Sequence, residues 1–279
     1  MRLTGTALAC LAFALTAGSQ TQRQAPSYSA DSIVNLASGE RGRLAPNTLA
    51  AIYGKDLAPY SRARVDSDLQ GDTLPYQLSG TGVIVKVGGL PAPVEYISPE
   101  VVIFLVPSEL RPGPVNIILT YNFLSGPTIR VPLLPAAPAW FLMETGFVLA
   151  RHSGSLEWVD GAHPARPGES VILYAAGLGD SRPILPFREM PREQVPLAAL
   201  NHFRLLVDGT EIRQDQLGFV GLSPGFPGVY EINVILPSEV GLNPEVSVDV
   251  AGATTESGIR LMLEPTPPQP DAPPLRSTK

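Results

Sequence analysis

Residues 164–180 read PARPGESVILYAAGLGD. The order is a proline-glycine turn at Pro167 and Gly168, an apolar strand from Val171 to Tyr174, and a second turn at Gly177. Residues 44–58, LAPNTLAAIYGKDLA, repeat that order. Pro46 stands to Pro167, Tyr53 to Tyr174 and Leu57 to Leu178 at one constant spacing of 121 residues. Such a period, in a chain of 279 residues, divides the chain into two similar halves.

The repeat runs outward from these two stretches. Gly88 returns as Gly209, Ser98-Pro99 as Ser223-Pro224, and FLVPSEL at 104–110 as VILPSEV at 234–240. Val115 and Ile117 return as Val246 and Val248, and Ile129-Arg130 as Ile259-Arg260. Strands are predicted over 33–35, 49–53, 83–87, 94–96, 101–106, 115–119 and 129–133, each closed by a turn signal. In the second half Tyr230, Ile232 and Val234 alternate with Glu231 and Asn233, and Val246, Val248 and Val250 with Ser247 and Asp249. A period of two with one apolar face is what a half-covered antiparallel sheet requires. Thirty prolines and 26 glycines reinforce the point, because proline lacks a backbone donor and glycine weakens helices. The expected fold is all-β: two tandem immunoglobulin-like antiparallel β-sandwiches, residues 33–137 and 138–264, joined by a stiff Pro-Ala-Ala-Pro linker at 135–138.

Outside the repeat, Arg2, an apolar run over 3–17 and the small residues Ala17-Gly18-Ser19 spell a secretory signal peptide, residues 1–19. Residues 20–32 read as a loose polar lead-in, and the proline-rich residues 265–279 as a disordered tail. Cleavage after the signal would remove Cys10, the only cysteine, leaving no disulfide and no thiolate metal site. The expected location is therefore the cell envelope, whether periplasm or outer surface, or the exterior as a secreted protein. No stable membrane span is expected after cleavage. A net charge of −6, from 20 basic and 26 acidic side chains with no basic stripe, argues against nucleic acid as a partner.

The turn-proline, the strand, the Gly-x-x-Leu-like exit and the apolar strand ending in Val/Leu-Pro resemble the IPT/TIG class of immunoglobulin-like domains. A narrower likeness rests on the second half. APAWF at 137–141, GSL at 154–156, PARPG at 164–168, VILYAAGLG at 171–179, LSPGF at 222–226 and YEINV at 230–234 are similar to the Solibacter-type uncharacterised C-terminal domain family. In the first half LAP at 44–46 and YISP at 96–99 fit the same pattern, so the likeness spans about residues 33–264. The resemblance implies a secreted or surface-exposed bacterial protein of immunoglobulin-like fold, and it brings no catalytic residue with it. The module usually ends a longer protein in that family, whereas here it fills nearly the whole sequence.

Each candidate for chemistry has a structural counter-reading. Residues 221–225, GLSPG, match the G-x-S-x-G nucleophile elbow, but Pro224 lacks the N–H that the oxyanion hole needs after the serine. Ser223 is expected in a turn. His152, His163 and His202 lack metal-ligand spacing. Asp66, Asp68, Gly71 and Asp72 imitate part of a calcium loop, but Gln70 and Gln77 occupy its fifth and twelfth positions. Trp140, Phe141 and Trp158 suggest a carbohydrate-stacking platform; the favoured place is a plug at the joint between domains. Tyr174 is assigned to the core. The candidate interaction loop is the long segment 180–199, with Arg182, Phe187, Arg188 and Arg192 as the residues of interest. Its alternative is a solvated crossing between sheets.

These readings assign no catalytic residue, no cofactor and no metal. They point to an exported, non-enzymatic tandem module for adhesion, surface structure, or binding of a protein or glycan partner. The alternatives are a secreted glycan- or ester-active hydrolase and a strand-exchanging assembly subunit.

Overall fold

A computed structural model describes residues 24–264. The expected signal peptide and proline-rich tail lie outside the described residues. The first half holds β1 (Ile33–Asn35), β2 (Leu49–Tyr53), β3 (Arg62–Ala63), β4 (Val83–Val87), β5 (Leu90–Pro91), β6 (Val94–Ile97), β7 (Val101–Leu105), β8 (Gly113–Tyr121), β9 (Leu124–Ser125) and β10 (Ile129–Leu133). The second holds β11 (Ala139–Trp140), β12 (Ala150–His152), β13 (Ser170–Ala176), β14 (Val195–Pro196), β15 (Phe203–Val207), β16 (Thr210–Glu211), β17 (Leu217–Leu222), β18 (Tyr230–Ile235), β19 (Val246–Val250) and β20 (Ala253–Thr254). Short 3-10 turns are the helical elements among the described residues.

Each half is an immunoglobulin-like sandwich of two antiparallel sheets. In the first, β1-β2-β7-β6-β3 faces β10-β8-β4-β5; in the second, β11-β13-β18-β17-β14 faces β16-β15-β19-β20. The sequence repeat is thus a repeat in space, with β2 and β13 at matching positions. The first sandwich is closed by a parallel bridge between Leu44 and Leu133, and the second by one between Ala165 and Leu263. The counterpart of β10 is reduced to such bridges at Arg260 and Leu263, yet Leu261 and Leu263 still bury their side chains.

Burial follows the predicted alternation. Val83, Val85 and Val87 with Ile117 and Leu119 fill the first core, and Val171, Leu173, Ile232, Val246 and Val248 the second. Full burial of such a side chain stabilises by about 1.5–3 kcal/mol, so each half carries enough for a core of its own.

Three assignments change. The lead-in is not loose from Ser27 onward: Ser27 bridges to Lys55 and Tyr28 packs into the first core. The Tyr28 hydroxyl donates to Pro127 O at 2.7 Å and accepts from Leu119 N at 2.7 Å, stapling residues distant in sequence. Trp140 does not plug the joint; it is fully buried inside the second sandwich, where its indole N–H donates to Val246 O at 3.1 Å. Tyr174 is not a core residue. Val171, Leu173 and Ala175 take the inward positions of β13, which leaves Tyr174 half-buried on the outer face. Its counterpart Tyr53 is 50% exposed.

At the joint, Ala137 N donates to Gly177 O at 2.7 Å, and Gly177 adopts φ +69°. A Cβ there would lie 2.1 Å from Ala137 O, so the linker can lie against this turn because the residue is glycine.

Candidate functional site

The loop 180–199 lies against the first sandwich over its middle third. Leu74 N donates to Arg188 O at 2.7 Å, and Met190 N to Asp72 O at 2.8 Å, around an antiparallel bridge between Thr73 and Glu189. Beneath this ladder Leu49, Leu74, Leu105 and Met190 form a buried apolar cluster of their own, flanked by Phe141 and Val229. The two sandwiches therefore share a third, smaller core. Three-residue pairing across domains is weak alone, but desolvation by the cluster beneath strengthens it.

The four loop residues divide between two tasks. Arg188 turns inward: its Nη1 donates to Leu74 O at 2.9 Å, and its guanidinium lies 5.0 Å from the Tyr76 ring and 5.2 Å from that of Phe187. Its backbone sits at φ +59°, a conformation costing about 1–2 kcal/mol for a residue with a Cβ, which these contacts offset. Arg192 Nε donates to Asp72 Oδ1 at 2.7 Å; both side chains are about half exposed, so the pair contributes at most ~1 kcal/mol. Arg188, Arg192 and Phe187 are thus engaged with the chain's own first half or with each other. Arg182 is different. It is exposed and has no acidic partner among the described residues.

Arg182 lines a cleft of about 660 Å³ on the flank of the second sandwich, where Pro196, Leu200, Phe203, Leu217 and Phe219 form most of the wall. The cleft exists because β14 is short. It pairs with Gly221 and Leu222 of β17, and Leu197 N adds a bond to Val220 O at 2.9 Å. Among the described residues no strand covers Leu217, Gly218 or Phe219 on that side. A register shift between Leu217 and Phe219 marks a β-bulge at Gly218, facing the cleft.

The groups with catalytic potential are tied to one another elsewhere. Ser223 is buried, and its hydroxyl donates to Glu231 Oε2 at 3.0 Å, while the Gln194 amide donates to Oε1 of the same carboxylate. This serine holds a buried glutamate on the outer face beside Tyr174, which the sequence, read as a turn or an elbow, did not show. Ser98, its counterpart, instead accepts from Val101 N at 2.9 Å. Asp68 pairs with Arg62 at 2.7 Å and Asp72 with Arg192, so two of the three carboxylates in the calcium-like stretch are taken by arginines. Among the described residues no group of three or more His, Cys, Asp or Glu side chains is placed to hold a metal ion. Trp158 is 42% exposed, with the Arg151 guanidinium 3.9 Å over its ring and Tyr174 edge-on at 6.0 Å. Trp140, Phe141 and Trp158 therefore do not form one platform: they lie in the second core, at the shared seam and on the outer face.

His152 bonds through Nδ1 to Glu169 Oε1 at 2.5 Å and through Nε2 to His163 O at 3.1 Å. Both partners are acceptors, so the ring satisfies both when doubly protonated. Burial opposes the charged ring, but Glu169 and the His163 carbonyl outweigh it and hold His152 above the ordinary imidazole range. A raised folded pKa gives stability that is full below the unfolded value, about 6.5, and is lost as pH rises through the folded pKa. The urea midpoint of the second sandwich should fall across that window, and His152→Gln should flatten the slope. An NMR titration midpoint for His152 at or below 6.5 would contradict the assignment.

No protein-family model matches the sequence, and no curated protein sequence matches it. Solved structures do align. A surface glycan-binding protein, PbSGBP-B from Prevotella bryantii, aligns over 85% of this chain and 42% of its own, at 13% identity and a TM-score of 0.27. Domains 5–6 of the S-layer protein SbsC align over 87% of this chain and all of their own, at 10% identity and a TM-score of 0.26. The tandem Ig repeats of Dlar cover 86% of this chain at 10% identity and a TM-score of 0.20. This chain spans less than half of the glycan-binding protein's length.

Proposed function

We propose that this chain is an exported, non-enzymatic pair of immunoglobulin-like sandwiches that works by binding, in an adhesive, structural or ligand-presenting role at the cell surface or in the envelope. The observation that carries this reading is the division of the 180–199 loop. Its middle joins the two sandwiches through Leu74, Asp72, Arg188 and Met190, while its start leaves Arg182 free on the rim of an open cleft. A joined pair with an open cleft of that size suits a module that presents a ligand in a fixed orientation. Support for export comes from the first nineteen residues; among the described residues no helix is long and apolar enough to cross a membrane.

The test pairs binding with turnover. The purified chain is screened on glycan arrays and displayed peptide libraries, and in parallel on ester and glycoside substrates with Ser223→Ala as control. Saturable binding of some ligand, without turnover, is expected. Hydrolysis abolished by Ser223→Ala would replace this reading with a hydrolase, and no binding to any class would remove it.

A further inference from the structure

We propose that the cleft beside Arg182 receives an extended peptide segment carrying an acidic side chain, which adds as a strand to the uncovered half of β17. The inference rests on the binding reading above and names the chemical class of its ligand.

Three features converge on one flank. The first is backbone. Leu217, Gly218 and Phe219 continue a strand whose other half is covered by β14, so the sheet stops short at the cleft. An uncovered strand edge is a template for another chain. The second is the wall: Leu200, Phe203, Leu217 and Phe219 supply apolar surface for side chains spaced two residues apart on an incoming strand, and Leu200 is 43% exposed. The third is charge. Arg182 stands at the rim with no acidic partner among the described residues, in a chain of net charge −6 where a free guanidinium beside apolar surface selects an anionic group.

The same features weigh against other occupants. An alkyl chain would fit the wall, but it would cover the β17 edge and leave its backbone groups buried without partners, which disfavours it. A sugar would pair with the edge, but its hydroxyls would lie against Leu200, Phe203 and Leu217 and go unmatched there. A peptide strand satisfies the edge and the wall together. The Gly218 bulge helps, since a residue without a side chain lets a second backbone approach closely.

The full chain is immobilised and a displayed random heptapeptide library is selected on it. Affinities of recovered peptides are then measured by fluorescence anisotropy on wild type and Arg182→Glu. Each recovered peptide is also remade with single N-methyl groups along its backbone. Recovered sequences should alternate apolar residues around an Asp or Glu, and Arg182→Glu should weaken them about tenfold or more. N-methylation should abolish binding at every second position, where the amide would face β17, and hydrogen exchange at 217–219 should slow in the complex. Glycan binding without peptide enrichment would overturn this inference and leave the binding reading standing. Peptide binding indifferent to Arg182→Glu and to N-methylation would do the same. Absence of binding to any probe would overturn both.

Discussion

Trp140→Ala should lower the stability of the second sandwich by about 3–5 kcal/mol, enough to unfold much of it under mild conditions. Trp140 heads the largest fully buried side chains and packs among Val148, Leu173, Val246 and their neighbours. Truncation leaves a void the size of an indole, which two facing sheets cannot collapse around without breaking register. It also strips Val246 O of the indole donor at 3.1 Å, and a buried carbonyl left unpaired costs about 1–3 kcal/mol by itself. Trp140→Phe separates the two effects, since it keeps most of the ring and loses only the donor. The readout is urea unfolding followed by fluorescence of Trp158, the one tryptophan left in these variants. A loss under ~1 kcal/mol for the alanine variant would show that the indole does not hold this core.

The second large effect is expected at the seam, where two glycines share a backbone conformation and differ in their surroundings. Gly225 and Gly228 have φ +76° and +73°, so any side chain meets the same backbone strain at both, about 1–2 kcal/mol. They differ in what surrounds them. A Cβ at Gly225 meets nothing within 4 Å, whereas one at Gly228 would lie 2.6 Å from Leu105 Cδ1 and 2.9 Å from Asn47 O, both in the first sandwich. Gly228→Val should therefore push the sandwiches apart, while Gly225→Val should not. Small-angle scattering should show a larger radius of gyration for Gly228→Val alone, with faster proteolysis in the 134–138 linker. Equal behaviour of the two variants would mean that the seam does not hold the pair together.

Much of the fold was legible because its signals are local. The 49–53 and 83–87 strands fall where alternation and turn residues placed them, and Pro46 and Pro167 mark matching turns. The site was less legible. Loop 180–199 stood out by length and by Phe187 and its arginines, but nothing in its composition separates an arginine that grips its own chain from one that faces solvent. Arg188 and Arg192 find partners 114 and 120 residues away, and such pairings carry no local pattern. The cleft was also hidden, because it arises from where β14 ends relative to β17.

By itself, then, the sequence determined that this is a duplicated β-sandwich protein, because a period of two and the turns that interrupt it act within a few residues. Tertiary structure alone decided which face was covered and which loop residue was left free. It turned Tyr174 outward, drew Trp140 into a core, and tied Arg188 to the first sandwich while Arg182 stayed at the cleft. The reason is physical. Alternation gives a strand two faces, but only the element packed against it says which one loses water.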